Sequence, residues 1–303
     1  MIRLIGVEIR RLLSRRLLRV LGVVSILGFL LAAILTYINT DAASPEAAAM
    51  ARRQWRTEVG RCIAVQRSQG QNLPPEYNGD AEAFCEEQIP LQAFDSSFHL
   101  TDLTEIFVGL GMVVVILGLL VGASFVGAEW HHRTLTTLLT WEPRRYRVIL
   151  SKLIACAFVV FVAALLFLSL LGASMLPTVL AKGTTAGADG TWLRELLETA
   201  GRIGVLATLA ATAGLAIATI GRNTAAALGA GFVYLAVVES VIRGFKPQWA
   251  PWLLGDNGAL VMAGPQDVNH ISHTLLEATL VVVAYTAVVL LVAVVLFRTR
   301  DVG

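Results

Sequence analysis

Charged side chains are scarce in this sequence. Of its 303 residues, 15% are Asp, Glu, Lys or Arg, whereas 56% are hydrophobic. A soluble globule of this length needs more polar surface, so the composition excludes an ordinary water-soluble protein. The net charge of +2 indicates no partner by itself, because it averages segments of opposite sign, and we expect no nucleic-acid partner.

A phosphate-binding loop of the form G-x-x-x-x-G-K-[ST] is also missing from the chain. Such a loop is the usual cradle for the phosphates of ATP. We therefore expect no cofactor in this chain and no enzymatic activity of its own. If the protein performs active transport, a partner must supply the energy.

Long apolar runs, in contrast, are abundant. A helix of about 20 apolar residues crosses the roughly 30 Å hydrocarbon core of a bilayer. Six runs meet that length, at 20–39, 105–128, 153–180, 203–220, 224–242 and 278–297. The runs are continuous rather than alternating, which favours helices over a barrel. We predict an all-α polytopic membrane protein with six transmembrane helices.

Basic residues concentrate at one set of ends of these runs. Fourteen lie there: Arg3, Arg10, Arg11, Arg15, Arg16, Arg19, Arg133, Arg144, Arg145, Arg147, Lys152, Arg222, Arg298 and Arg300. Only Glu8, Glu129, Glu142 and Asp301 oppose them. Because such an excess marks the cytoplasmic side, we predict a plasma (inner) membrane protein with both termini, including the tail 298–303, in the cytoplasm. We expect the first span to be retained rather than cleaved as a signal peptide.

Three cysteines are present, and two of them fall in the segment 40–104, which this topology places outside the cytoplasm. An oxidising compartment favours a disulfide between Cys62 and Cys85, whereas Cys156 lies alone in the third span. Ser44 and Pro45 form a helix start, and a second short helix contains Cys85. We predict a helical extracytoplasmic loop clipped by this disulfide.

Two further segments are predicted to lie along the membrane. Residues 1–19 begin with a helix that has isoleucines on one face and arginines on the other, as expected for an interfacial helix; a frayed end is the alternative. Residues 243–277 combine Trp249 and Trp252 with prolines and glycines, and their apolar part is too short to span. A re-entrant or surface-lying segment is expected there.

Close helix contacts are also predicted. Three residues, 221–223, join the fourth and fifth runs, which must therefore form an antiparallel pair. The second run contains Gly118-x-x-x-Gly122, and small residues crowd the fourth and fifth runs. Such residues let helix backbones approach each other in a bilayer.

The polar segment 129–152 interrupts the apolar sequence. Thr134, Leu135, Leu138 and Leu139 lie at helical spacing, and Pro143 disfavours helix at the residue before it. A simple connection needs about four residues, so the extra length predicts a short cytoplasmic helix parallel to the membrane.

This segment resembles the one between spans two and three in permease (transmembrane) subunits of type-2 ABC exporters. The shared order is an acid, a threonine, leucines, a proline, basic residues and a lysine: Glu129, Thr134, Leu135, Leu138, Leu139, Pro143, Arg144 or Arg145, and Lys152. Arg133 stands where the family usually has glycine, and the usual second acid is replaced near His131. The resemblance extends to the six-span plan.

The resemblance implies that residues 131–140 are a coupling helix held in a cleft of a separate ABC ATPase subunit. Its contact residues would be Glu129, His131, His132, Arg133, Thr134, Leu135, Leu138, Leu139, Arg144 and Arg145. Two ATPase subunits, which bind ATP and Mg, and a second permease, identical or related, would complete an exporter of hydrophobic or amphiphilic compounds such as lipids, drugs or antibiotics.

Other interpretations stay open. Glu239 within the fifth run marks either a translocation path or an ion pair with Arg243. His270 and His273, with Asp267 nearby, have a spacing that could chelate a metal ion on a helix. No third strong ligand lies at a fitting position, so we expect no metal site. No histidine falls within a run, which argues against an intramembrane protease. A non-transporting sensing or assembly subunit and, less favoured, a secondary transporter are the alternatives.

Overall fold

The computed structural model describes residues 2–40, 44–69, 80–89, 91–94, 97–131, 144–264 and 274–299. These residues are almost entirely helical, and among them the β-type pairing is a single bridge between His99 and Thr184. The chain divides into two compact units. Unit 1 comprises Met1–Gly28, Leu103–Leu171 and Asp189–Gly303, and unit 2 comprises Phe29–Asp102 and Gly172–Ala188.

Among the described residues, six helices are long and apolar enough to cross a membrane, which confirms the predicted all-α architecture with six candidate spans. They are α2 (Arg16–Asn39), α5 (Leu103–His131), α6 (Arg145–Lys182), α7 (Gly190–Gly221), the composite Thr224–Phe245, and α11 (Leu275–Thr299). The composite contains α8 (Thr224–Phe232), a π-helical turn (Val233–Val238) and α9 (Glu239–Phe245).

The helices extend beyond the predicted apolar runs. The largest difference is α7, which begins at Gly190 instead of residue 203 because Asp189 caps it: the Asp189 carboxylate accepts hydrogen bonds from the backbone N–H groups of Thr191 and Trp192. The first turns of α7 contain polar residues, so the apolar run in the sequence begins later than the helix does. A cap of this kind satisfies donors that have no partner inside the helix.

The N-terminal helix α1 (Ile2–Leu13) has both exposed and buried side chains. Arg3, Arg10 and Arg11 are exposed, whereas Leu12 is fully buried. Ser14 and Arg15 separate α1 from α2. The burial of Glu8 within α1 is not expected from the sequence.

Unit 2 contains α3 (Pro45–Gln69) and α4 (Ala81–Gln88), and a disulfide between Cys62 and Cys85 joins them as predicted. The Trp55 indole N–H donates to the carbonyl of Ile89 at 2.7 Å, which adds a second tie. In the same unit, the Lys182 ammonium donates to the carbonyls of Tyr37 and Thr40, at the end of α2.

Unit 1 is organised by the contact between α5 and α7. A Cβ atom added to Gly118 would collide with the carbonyl of Ala207, and one added to Gly122 would collide with that of Ala211. A Cβ atom added to Gly214 of α7 would likewise collide with the carbonyl of Leu119 in α5. The two backbones therefore touch directly, as small residues allow where lipid provides no hydrophobic drive.

The predicted re-entrant segment 243–277 is helical in its described part. A 3₁₀ turn, Pro247–Trp252, leads into α10 (Leu254–Ala263), and α10 packs against α7 and α11. Trp249 and Trp252 are largely exposed, while Leu260 and Val261 are buried. Residues 265–273 lie outside the described part of the chain.

Replacing Gly122 by Ala is expected to destabilise the protein by about 1–3 kcal/mol, because the added methyl group forces the backbones of α5 and α7 apart. Thermal unfolding of the detergent-solubilised protein measures this change. Gly229→Ala is the control, since nothing lies within 4 Å of a Cβ at Gly229. Equal unfolding temperatures for the two variants would show that the contact is looser than described.

Candidate functional site

A buried ionic cluster lies where α5 ends and α6 begins, on the two sides of residues 132–143. Lys152, near the start of α6, donates a 2.8 Å hydrogen bond to Glu8 of α1 and a 2.9 Å hydrogen bond to Glu129 at the end of α5. The exposed fractions of the Lys152, Glu8 and Glu129 side chains are 2%, 1% and 8%. We call Glu8, Arg15, Glu129 and Lys152 the loop-anchoring cluster.

Arg15 completes this cluster from the linker between α1 and α2. Its guanidinium donates to the carbonyls of Ser124 and Phe125, at 2.7 and 2.9 Å, and lies 3.5 Å from Glu129. Arg15 and Lys152 also lie 5.0 and 4.9 Å from the centre of the Phe125 ring, within the range of cation–π attraction. Burial lowers the pKa of Arg15, and the Glu129 and Glu8 carboxylates oppose that shift.

Two carboxylates meet Lys152 and Arg15 in this cluster, and the half-exposed Arg11 also lies 3.5 Å from Glu8. Removing charges from water is costly, and their mutual attraction compensates only when the hydrogen bonding is good. Loss of one partner leaves a buried charge without compensation, at a cost of about 3–5 kcal/mol. The cluster therefore fixes α1, α5 and α6 to one another in a specific arrangement.

An aromatic contact joins more of unit 1 to the end of α5. Trp130 meets Phe297 of α11 edge to face, with ring centres 6.4 Å apart. Arg222, in the turn between α7 and α8, lies 4.9 Å from the Trp130 ring. The α7–α8 turn and the end of α11 therefore gather beside the residues that precede position 132.

The predicted ATPase-contact residues are only partly described. Glu129 belongs to the loop-anchoring cluster, His131 is the last residue of α5, Arg144 is exposed, and Arg145 begins α6. The others lie outside the described residues: His132, Arg133, Thr134, Leu135, Leu138 and Leu139. The coupling helix at 131–140 stays a prediction. No sequence signal indicates that Glu8 pairs with Lys152, because 144 positions separate them.

A second ionic cluster contains the other predicted site residues. Arg243 donates to Glu239 at 3.0 Å, as one of the two interpretations required, and donates at 2.7 and 3.2 Å to Asp256 of α10. The backbone N–H of Gly255 donates to the other Glu239 oxygen at 2.8 Å. Asp256 is not among the predicted site residues; its signal is an acid within an otherwise apolar stretch.

Within the described residues, no three His, Cys, Asp or Glu side chains are grouped so that they could hold a metal ion. Asp267, His270 and His273 lie outside that part of the chain. Cys156 is buried in α6 and carries no disulfide.

In the part of the chain that the structure describes, these features define a helical membrane protein with six apolar helices and a buried ionic cluster that joins α1, α5 and α6. The chain belongs to the DUF2705 family of proteins of unknown function, whose model matches residues 68–303. No curated protein matches the chain.

Replacing Lys152 by Met is expected to destabilise the protein by about 3–5 kcal/mol, because Glu8 and Glu129 then lose the cation buried between them. Thermal unfolding in detergent measures the effect. Adding Glu8→Gln to Lys152→Met leaves Glu129 balanced by Arg15 and should restore much of the loss.

The matched control is Arg61→Met, which removes the exposed ion pair with Glu58. An exposed pair contributes about 0–1 kcal/mol. If Lys152→Met and Arg61→Met have the same small effect, the loop-anchoring cluster does not hold the helices together.

Proposed function

We propose that this protein is the transmembrane permease subunit of an ATP-binding cassette exporter. It would work with a second permease and two ATPase subunits, and would move a hydrophobic or amphiphilic substrate outward across the plasma membrane. The observation that carries the proposal is the loop-anchoring cluster, because it fixes the end of α5 and the start of α6, the two helices that flank residues 132–143.

The cluster suits the transmission of mechanical force. Glu129 lies two residues before the end of α5, and Lys152 lies in the second turn of α6. With both residues bonded to each other and to α1, a displacement of the segment between them is passed to the three helices together. Rigid-body motion of packed helices is a common way for binding energy at one site to change another.

The charge pattern supports the same arrangement. Arg15, Lys152 and Arg222 all contact residues in the last turns of α5, at or near the predicted cytoplasmic end. The exposed Arg10 and Arg11 of α1 are suited to anionic lipid headgroups on that side. In this proposal α1 lies at the inner surface and moves with the coupling segment.

The energy source is assigned to the partner. The sequence lacks the phosphate-binding loop, so ATP and Mg would be bound by the ATPase subunits. The apolar surfaces of Leu135 and Leu138 on the predicted coupling helix would fill a cleft in each ATPase. Closure of the ATPase pair on ATP would then displace α5 and α6.

The double variant Leu135→Asp and Leu138→Asp tests this proposal. Each carboxylate would have to be desolvated in the apolar contact, so the ATPase subunit should no longer co-purify, and ATP hydrolysis by the preparation should fall to the level of the isolated ATPase. Co-purification and the rate of phosphate release are the measurements.

Val65→Asp is the control, because it makes the same kind of change at an exposed position of α3 in unit 2. It should leave both measurements unchanged. Unchanged ATPase binding and hydrolysis in the double variant would contradict the coupling-helix assignment.

A further inference from the structure

An apolar cavity lies among four of the membrane helices and α10 in unit 1. Its volume is about 370 Å³, which falls within the usual range for small-molecule sites, roughly 300–1,000 Å³. Its walls come from α5, α7, the composite Thr224–Phe245, α10 and α11, and include Met112, Leu206, Tyr234, Met262 and Tyr285. A cavity of this size and lining accommodates a compact hydrophobic body.

A second, more open cavity of about 580 Å³ adjoins the first. The two share Met112, Leu235 and Gly255 in their walls. The second cavity is also lined by Glu239, Arg243 and Asp256. A ligand that fills the apolar cavity therefore has ionised groups at one end.

The charges at that end do not cancel. Among the described residues that line the second cavity, Glu239 and Asp256 oppose the single cation Arg243, which leaves one negative charge. Arg243 binds Asp256 through two nitrogens and Glu239 through one. The two Glu239 oxygens accept hydrogen bonds from different partners, the Gly255 backbone N–H and the Arg243 side chain.

A surplus charge at membrane depth is expensive and marks a functional position unless something compensates it. The side chain of Glu239 is 1% exposed, so water compensates little of its charge. A cation bound in the adjoining space would complete the balance. The chemistry of the site thus selects a positive ligand group and disfavours a negative one.

Two aromatic rings line the apolar cavity. The Tyr234 and Tyr285 rings lie 6.1 Å apart, and the Tyr285 hydroxyl donates to the carbonyl of Trp252. Aromatic side chains are typical linings of sites that take a compact hydrophobic body. Tyr234 belongs to the π-helical turn that immediately precedes Glu239, and such turns are frequent at functional sites.

We propose that these adjoining cavities bind a cationic amphiphile, a compact hydrophobic body carrying one positive charge, with the body among Met112, Tyr234 and Tyr285 and the charge beside Glu239. The inference rests on the proposed export function in taking this ligand as the transported substrate, and it adds the charge class of that substrate. Binding itself requires no ATPase subunit, so it is tested separately.

The test is equilibrium dialysis of the purified full-length chain in a nonionic detergent. The probe is radiolabelled trimethyl(naphthylmethyl)ammonium, whose charge lies at one end of a compact aromatic body, and naphthylmethanesulfonate serves as an anion with the same body. Saturable binding of the cation is expected, with only non-saturable partitioning of the anion. Equal binding of both ions, or no saturable binding of the cation, would overturn the proposal.

Two variants locate the site. Glu239→Gln removes the surplus charge while keeping the shape, and should weaken cation binding by about tenfold or more, the scale of one close charge contact. Glu198→Gln is its control, because Glu198 pairs with Arg194 on the exposed surface of α7. If the two variants bind the cation equally well, Glu239 does not select the charge.

Gly258→Leu fills the apolar cavity directly. Gly258 lines that cavity, and no atom lies within 4 Å of a Cβ placed there, so the larger side chain enters open space. Cation binding should be lost while the unfolding temperature stays unchanged. Gly28→Leu, at an exposed position of α2 with the same open surroundings, should bind normally. Undiminished binding by a stably folded Gly258→Leu protein would contradict the assigned cavity.

The two proposals fail in distinguishable ways. In one outcome, the cation binds saturably and in a Glu239-dependent way, and the Leu135→Asp and Leu138→Asp variant keeps its ATPase contacts. This outcome would support the ligand site and overturn the coupling assignment. Loss of ATPase contacts in that variant, without cation binding by the normal chain, would support coupling and overturn the ligand site.

Discussion

The buried contact of Lys152 with two carboxylates constrains more of this molecule than any other polar interaction described. Lys152 of α6 lies between Glu8 of α1 and Glu129 of α5, and each hydrogen bond is shorter than 3 Å. None of the three side chains has water to replace a lost partner. Because the cost of separating such charges is large, the helices that carry them keep one relative placement. Helix α1, which the sequence alone predicts to lie at the membrane surface, is thereby tied to α5 and α6.

Helix α5 connects the loop-anchoring cluster with the proposed ligand site. Glu129 lies near one end of α5, and Met112, which lines both cavities, lies 17 positions earlier, a separation of about 26 Å along a helix. Between them, Gly118 and Gly122 hold α5 directly against the backbone of α7. Since a close-packed helix pair resists bending, a displacement of α5 at Glu129 would also displace Met112. This continuity supplies a physical route by which ATPase closure would alter the ligand site in the proposed exporter.

Much of the fold is predictable from local sequence signals. Apolar length identifies the six candidate membrane helices, and the predicted topology places Cys62 and Cys85 in one loop that is expected to be oxidising. Gly118-x-x-x-Gly122 indicates close packing but does not identify α7 as the partner. The start of α7 is missed because its first turns are polar and only the cap at Asp189 marks it. The pairing of Glu8 with Lys152 and of Arg243 with Asp256 requires three-dimensional placement: no periodicity connects a charge in α1 with one in α6. Glu239 is identifiable from the sequence because a charge in an apolar run is costly; Asp256 gives a similar signal, but its pairing with Arg243 is not readable from the sequence.

In the proposed exporter, residues between α5 and α6 form the contact through which an ATP-hydrolysing partner acts on the loop-anchoring cluster. Chemical crosslinking tests this contact most directly. A Leu138→Cys variant, in a Cys156→Ala background so that the remaining cysteines are those of the Cys62–Cys85 disulfide, is treated with a short thiol-to-amine crosslinker in inverted and right-side-out membrane vesicles. We predict a crosslink to an ATPase subunit in inverted vesicles, and labelling of the introduced thiol by an impermeant maleimide in those vesicles alone. Labelling from the outer surface, or a crosslinked partner that does not hydrolyse ATP, would contradict the assignment.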